Sequence, residues 1–411
     1  MAGGNIAWLD GLSSRGIVPG LDSISELTHA LGDPQNGLRL IHVAGSDGKG
    51  STCCMLEAIL RAAGYRTGLF TSPFIMKVNE SIRVDGLDID DDSLDRCLGT
   101  IRDACDSSGC QCTNFEALVA CALSFFKEQK VDIAIIEVGM GGRLDATNII
   151  KPEVSVISNI SVEHTKYLGS TVHDIASEKA GIIKPGVPCV TTNCGEALEV
   201  IRARCSDLGC PLTVIDPEEV VLKENAPDHV RFRHLCRDYE TGLTGSYQRL
   251  NAALAVEAVR SLKDSGRILP FAHVGLHEAR WPARMQKLPD LPIILDATHT
   301  EKGSEYLRRD VSEIYGKVTL VIGMLSDKDL DGVAANLSPI ATKVFVSSPD
   351  SPRAADKEAL ASVYRKYHDD VTVKDTVGEA VEAALEEDGI VLVTGSFRTA
   401  EDCLRWLRRT S

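Results

Sequence analysis

Leu40-Ile41-His42-Val43-Ala44-Gly45-Ser46-Asp47-Gly48-Lys49-Gly50-Ser51 is an apolar run that breaks into a glycine-rich turn carrying a lysine and a serine. The segment that follows, Thr52 to Ala63, reads as helix and stops at Gly64. Strand, turn and helix N-terminus thus come in the order that a phosphate cradle requires, with backbone N–H groups aimed at an anion. In that reading Lys49 neutralises phosphate charge and Ser51 reaches a magnesium ion. The spacing departs from the common phosphate loop: Gly45 lies three residues before Gly48, and Gly50 separates Lys49 from Ser51. The plain alternative is an ordinary glycine turn.

The chain of 411 residues is long enough for two or three domains, each with a substantial core. Lys and Arg total 44 against 59 Asp and Glu, and the formal net charge of -15 gives no electrostatic reason to expect a nucleic-acid partner. Nothing at the N-terminus resembles a signal peptide, and no apolar run approaches a membrane span, so the expected location is the cytoplasm without membrane attachment. Thirteen cysteines are an odd number and scattered. Cys53-Cys54, Cys110-Gln111-Cys112 and Cys205 with Cys210 are the closest groups, and none has paired zinc-site spacing. Free thiols in a reducing compartment are the expectation.

Apolar runs alternate with helical patterns, which argues for α/β layers. The clearest strands are Leu40 to Ala44, Ile133 to Glu137, Val154 to Ser158, Ile293 to Asp296, Val318 to Ile322, Val344 to Ser347 and Ile390 to Thr394. Several end at polar residues, where parallel α/β sheets carry their ligand sites. Leu288-Pro289-Asp290-Leu291-Pro292 interrupts the pattern and is read as a domain boundary, leaving enough chain for a second α/β domain. Residues 214 to 245 mix β-like stretches with charged turns and read as a small hairpin region inside the first domain.

A second chemistry-bearing stretch runs from Val131 to Asn148: a strand delivers Glu137 into a turn with glycines at 139, 141 and 142. A buried carboxylate there is costly without a cation, so a magnesium ligand is a natural explanation, with a salt bridge to Arg143 as the alternative. The glycines suggest close backbone approach to a ligand. Ser158 to Thr165 again follows a strand and brings His164, either a structural histidine or an unusual magnesium ligand.

The chain resembles the folylpolyglutamate synthase and dihydrofolate synthase family of the Mur ligase superfamily over nearly its whole length. The residues that carry the resemblance are Ile41 to Ser51, Thr71-Ser72-Pro73, Phe115-Glu116, Glu137 to Asn148, His164 to Gly169 and Glu178 to Gly186. Gly16 to Leu21, Gln248 with Asn251, Trp281 to Arg284, and Gly323-Met324-Leu325 with Asp327-Lys328-Asp329 add to it. Each fragment is weak alone, and their shared order is specific.

The resemblance implies an α/β fold: a P-loop ATPase domain with a mainly parallel sheet over residues 1–288, and a smaller C-terminal Rossmann-like domain over 289–411. It implies that Asp47, Gly48, Lys49, Gly50 and Ser51 hold ATP phosphates, and that Asn251, Arg284 and Asp296 also contact ATP, with Arg284 and Asp296 flanking the inferred boundary. Ser72, Glu137 and His164 would hold magnesium. Lys179 falls where the family carbamylates a lysine; the alternative is a surface lysine near a helix C-terminus. Lys49, Lys179 and His164 are thus the catalytic candidates. Pterin contacts map to Asn114, Phe115, Glu116, Asp145, Ala146 and Thr147. The implied activity is ATP-dependent addition of L-glutamate to a folate-type acid through an acyl phosphate, by a monomer with small-molecule substrates.

Three departures stand out. Asp47 replaces the family's asparagine, Phe74 its histidine, and Asp296-Ala297-Thr298-His299-Thr300-Glu301 its Asp-Gly-Ala-His-Asn-Pro. They leave two alternatives: a ligase of the same fold for a non-folate pterin or another cofactor-precursor acid, and a nucleotide-binding regulator without catalysis.

Overall fold

Apolar runs that are continuous rather than alternating make strands buried on both faces, the signature of parallel sheets covered by helices. The computed structural model describes residues 4–410 and divides into two units. The first takes the chain as far as 221 together with 234–239 and 250–279. Its sheet contains β1 (Leu40–Ala44), β2 (Thr67–Phe70), β3 (Ile82–Val84), β4 (Leu87–Asp88), β5 (Ile133–Glu137), β6 (Val154–Ile157), β7 (Cys189–Thr191) and β8 (Leu212–Val214), in the order β4-β3-β2-β5-β1-β6-β7-β8. β3 and β4 are antiparallel at one edge, and the remaining pairs are parallel.

β1 lies between β5 and β6, with Val43 opposite Glu137 and Val156, so Gly45, Val138 and Ser158 leave the same edge of the sheet. The chain turns to β2 on one side of β1 and later to β6 on the other. This change of direction opens a crevice beyond the carboxyl ends of the strands.

The helix after the glycine turn spans Lys49–Ala62, beginning earlier than the sequence pattern suggested. Gly48 at φ 84° supplies the left-handed residue that starts it, and no side chain caps its N-terminus. The first N–H groups are therefore left for an anion. From Ser51 to Leu60 it is buried throughout, because it packs on β2 and β5 and on the helix Ala272–Glu278. A Cβ on Gly275 would stand 2.4 Å from Ile59 Cα and 2.6 Å from Ala58 O, backbone atoms that cannot give way.

In the second unit, β9 (Val221–Asn225), β10 (Val230–His234) and β11 (Arg237–Thr241) form a three-stranded sheet, of which residues 222–233 and 240–241 fall in this unit. The hairpin region expected within the first domain therefore belongs largely to the second unit. The unit's larger sheet contains β12 (Gln286–Lys287), β13 (Ile293–Leu295), β14 (Val318–Ile322), β15 (Ala341–Val346), β16 (Val371–Val373) and β17 (Val391–Thr394), ordered β12-β13-β17-β14-β15-β16. Only β12 runs antiparallel in it. Leu288 to Pro292 is the turn of the β12–β13 hairpin, with Asp290 at φ 62° and Leu288 N donating to Ile293 O. The two prolines thus punctuate a turn, and the division between the units falls after Ala279. Among the described residues no helix is long and apolar enough to cross a membrane.

The approach at Gly275 makes a direct prediction. Gly275→Ala should lower stability by about 1–3 kcal/mol through overpacking against a helix backbone. Urea unfolding would show a lower midpoint at unchanged slope, and an unchanged midpoint would contradict the close approach.

Candidate functional site

The glycine turn folds around its own carbonyls. Lys49 Nζ donates to Gly45 O at 2.9 Å and to Ser46 O at 3.1 Å. Lys179 Nζ donates to the same Gly45 O at 2.7 Å and to Glu163 Oε1 at 2.8 Å. Two ammonium groups thus converge on one carbonyl, with one carboxylate beside them. Lys179 is 1% exposed, so it is not the surface lysine of the alternative reading. Burial, reinforced by the nearby Lys49 charge, pushes its pKa down to about 8. Burial pushes Glu163 upward, but Lys179 and Lys49 outweigh it and hold the carboxyl below its usual range.

The loop after β6 fixes the turn from the other side. Ser46 N donates to Asn159 O at 2.7 Å, and Ser158 Oγ donates to Asp47 O at 2.7 Å. A Cβ on Gly45 would stand 1.8 Å from Ser158 Oγ, and one on Gly48 would stand 2.3 Å from Asn251 Oδ1. Asn251 is therefore packed against the turn. Asp47 Oδ2 accepts from Asn159 Nδ2 at 3.3 Å and from Ser161 Oγ at 3.4 Å, which fixes the extra carboxylate at the rim of the cradle. Asn193, beyond β7, supports this loop by donating to Ser158 O and accepting from Ile160 N. Ser158, Glu163 and Asn193 were missed as site residues; Ser158 and Asn193 carry a signal in the sequence, a polar residue just beyond a strand end, and Glu163, farther past β6, does not.

Glu137 is buried at the end of β5 and accepts from Ser72 N at 3.2 Å, which brings two of the three candidate metal ligands together. The Ser72–Pro73 peptide is cis. Arg143 pairs with Glu178, through Nη2 to Oε1 at 2.7 Å, not with Glu137. Cys53 is raised first by burial and then by the Glu137 charge, while Lys49 opposes, so Glu137 acts on the first turns of the helix Lys49–Ala62. In those turns Thr52 Oγ1 is buried without a hydrogen-bond partner. His164 stands at φ 47°, half exposed, with Nε2 3.8 Å from Glu163 Oε2. Among the described residues no cluster of three or more His, Cys, Asp or Glu side chains is arranged to hold a metal. The donors near the cradle are carboxylate and hydroxyl oxygens, which suit magnesium.

The glycines at 139, 141 and 142, read in the sequence as close approach to a ligand, all stand against other segments of the protein. A Cβ on Gly142 would stand 2.6 Å from Glu178 O and 3.0 Å from Lys179 Cα, and one on Gly181 would stand 2.5 Å from Arg143 Cα. This contact seats the helix Val172–Ala180 and with it Lys179. A Cβ on Gly139 would stand 2.5 Å from the Phe115 ring, which also lies 5.9 Å from the Phe70 ring.

The candidate pterin residues divide by their partners. Glu116 Oε2 accepts from Thr113 N at 2.7 Å and from Thr113 Oγ1 at 2.8 Å, a capping box at the start of the helix Asn114–Glu128. Asn114 Nδ2 donates to Leu9 O at 2.8 Å. Asp145 is buried, which raises its pKa; it accepts from Thr147 N and Oγ1 and from Met140 N. Ala146 is buried between them. Thr147 Oγ1 gives its proton to Asp145, so the His42 Nε2 found 2.9 Å away is the donor of that bond. Phe115 and Asp145 meet through the loop at Gly139 and Met140. In the second unit Asp296 accepts from Met285 N at 2.9 Å and from Thr298 N at 2.7 Å, while the Arg284 guanidinium lies 4.9 Å from the Phe397 ring centre.

Two family models match the chain: the Mur ligase middle domain over residues 43–259, and the Mur ligase glutamate ligase domain over residues 283–397. A dihydrofolate synthase/folylpolyglutamate synthase of Bacillus subtilis is 34% identical, with 98% of each chain covered. The folylpolyglutamate synthase structure from Thermotoga maritima superposes with a TM-score of 0.87 at 30% identity, covering 99% of this chain and 97% of that one. An Escherichia coli relative, solved in complex with DHPP and ADP, superposes with a TM-score of 0.85 at 30% identity over 99% and 98% of the chains.

The buried hydrogen bond of His42 has a consequence in pH. Burial pushes its pKa down to about 3, so the folded chain keeps the ring neutral while the unfolded chain protonates it near the ordinary histidine value. The stability it contributes is complete above about pH 6.5 and is lost as pH falls toward about 3, at up to about 1.4 kcal/mol per pH unit. His42→Gln keeps a donor toward Thr147 and should flatten the urea-determined stability profile within that window; a profile of unchanged slope would contradict the assignment.

Proposed function

Because the chain belongs to the folylpolyglutamate synthase and dihydrofolate synthase family of Mur ligases, we propose that it joins L-glutamate to a folate-type carboxylate at the expense of ATP. The observation that carries this reading is the convergence of Lys49 and Lys179 on Gly45 O at an uncapped helix N-terminus, a preorganised seat for phosphate. The substrate carboxylate attacks the γ-phosphorus, the bond to ADP breaks, and an acyl phosphate forms. The glutamate amine then attacks the acyl carbon and inorganic phosphate leaves.

Gly48, Gly50 and Ser51 supply the turn that faces the phosphates, and Lys49 offsets the charge that develops on the transferred group. Asp47 belongs to the same turn, with its charge balanced by the two lysines. Ser51, Ser72, Glu137 and His164 are the proposed holders of magnesium, which when bound neutralises charge on the transferred phosphoryl oxygens. Asn251 orients the nucleotide from beside Gly48. Arg284 and Asp296 are proposed as further ATP contacts, and the division of labour is proposed to follow the two units, the one ending at Ala279 for ATP and the one from Arg280 onward as the C-terminal ligase domain. Lys179 carbamylation is proposed too. Its lowered pKa supports this, because only the neutral amine reacts with carbon dioxide, and Glu163 must then release it. Asn114 to Glu116 and Asp145 to Thr147 are proposed to frame the pterin. The protein is proposed to act as a cytoplasmic monomer.

Phosphate release measured with ATP, glutamate and either dihydropteroate or tetrahydrofolate tests the reading. We expect release that depends on one of these acids. Turnover only with a different acid would assign the chain to the non-folate alternative, to which Phe74 and Thr300 point, and ATP binding without release would mark a regulator.

Glu137→Gln should lower magnesium-dependent turnover by roughly 10–100-fold or more while the unfolding midpoint hardly moves. A metal titration of turnover at fixed ATP reads this, and an unchanged magnesium dependence would remove Glu137 from the proposed ligands.

A further inference from the structure

The helix Asp91–Ser108 ends at Gly109, whose φ of 77° turns the chain back on itself. The reversal places Cys112 Sγ 3.4 Å from Cys105 Sγ in the last turn of that helix. Both thiols line a cavity of about 190 Å³, together with Cys110 and Arg15. Arg15 binds Cys112 O through Nη1 at 2.5 Å and Gln111 Oε1 through Nη2 at 2.8 Å, so a fixed cation stands at the cavity. Cys110 stands beside them, with its thiol donating to Ser23 O at 3.3 Å and close to Cys105 Sγ as well. The space is enough for several waters but not for a peptide-sized disulfide such as a tripeptide dimer.

We propose that Cys105 and Cys112 are a modification site: a hydroperoxide entering the cavity oxidises them to an intramolecular disulfide. The bond would tie the end of the helix Asp91–Ser108 to the residue before Thr113, the cap of the helix Asn114–Glu128. The Cys105 thiolate attacks one peroxide oxygen, the O–O bond breaks, and a sulfenic acid forms while the departing hydroxide takes a proton to become water. Cys112 Sγ then attacks the sulfenic sulfur; the S–S bond forms, the S–O bond breaks, and a second water leaves with the Cys112 proton. Two thiols and one peroxide give one disulfide and two waters, with sulfur losing the two electrons that the peroxide gains. The hydrogen bond between the thiols stabilises a thiolate on whichever sulfur accepts it, and against burial and Asp106 the Arg15 charge adds to this at Cys105, to which we assign the attack. This site is independent of the folate reading.

Three features separate this pair from the other cysteines. Cys194 and Cys236 are exposed; Cys97 with Cys121, in the same apolar core as Cys105 and Cys112, and Cys189 with Cys205 are hydrogen-bonded thiol pairs that do not border this cavity. Cys105 and Cys112 combine a thiol partner, a cation and a cavity.

The test uses the full reduced chain titrated with hydrogen peroxide, followed by alkylation of the remaining thiols and mass spectrometry. Cleavage at Asp106 separates Cys105 from Cys110 and Cys112, and fragmentation at Gln111 distinguishes the last two. The expected result is a Cys105–Cys112 linkage that forms before Cys194 and Cys236 are consumed, lowers the thirteen thiols by two, and reverses with dithiothreitol. Cys110→Ala should leave the linkage intact, and Cys112→Ala should stop at a dimedone-reactive sulfenic acid on Cys105. Linkage to Cys110, prior loss of Cys194 and Cys236, or sulfinic acid on Cys105 of the unsubstituted chain would each overturn the proposal. If Cys112→Ala unfolds by circular dichroism, the mapping in the unsubstituted and Cys110→Ala chains decides alone.

Discussion

One backbone carbonyl, that of Gly45, accepts hydrogen bonds from two ammonium groups, and the rest of the site is arranged around keeping them there. Lys49 reaches it from the first position of the helix that the glycine turn starts. Lys179 comes from a helix more than a hundred residues later in the chain. Like charges so close repel strongly when removed from water, and the Glu163 carboxylate offsets this. An incoming polyphosphate would offset it better, because it brings several negative charges to the same place. The cradle is thus held in a state that an anion relieves.

Holding Lys179 in position is a packing problem. The helix Val172–Ala180 carries it only because Gly142 and Gly181 let that helix and the loop after β5 approach to backbone contact. The loop itself is organised by Asp145, which collects the N–H groups of Met140 and Thr147. The hydrogen bond from His42 fastens this loop in turn to β1, the strand that feeds the glycine turn. The phosphate end and the candidate pterin end are therefore braced by one strand.

The sequence was legible where periodicity and strand ends carry the information. Buried runs such as Leu40–Ala44 and Ile133–Glu137 announced strands, and the glycine turn announced a helix N-terminus. The resemblance singled out Asn251 for its role toward ATP, and the structure sets its side chain against Gly48 of the turn. Three things were not legible. The prolines at 289 and 292 look like a linker in one dimension, and only pairing between β12 and β13 reveals a hairpin turn. The glycines at 139, 141 and 142 signal close approach without saying to what, and the answer is another segment of the protein. The role of Glu163 depends on a partner sixteen residues away that local pattern cannot pair with it.

The acceptor side follows from a count of hydrogen bonds already made. Glu116 spends its buried carboxylate on the cap at Thr113, and Asp145 spends both oxygens on its own turn. A carboxylate engaged in this way orients a loop better than it recognises a heterocycle, because releasing either one would leave buried N–H groups unpaired. In the proposed pterin site, this leaves the Phe115 ring and the backbone of the turn that Asp145 organises as the groups not already engaged in this way. Phe115 is pinned between Phe70 and Gly139, where a side chain on residue 139 would displace it. Under the proposed function, the placement of that ring is set by the packing around it, and the charged residues nearby act on it through the loops they organise.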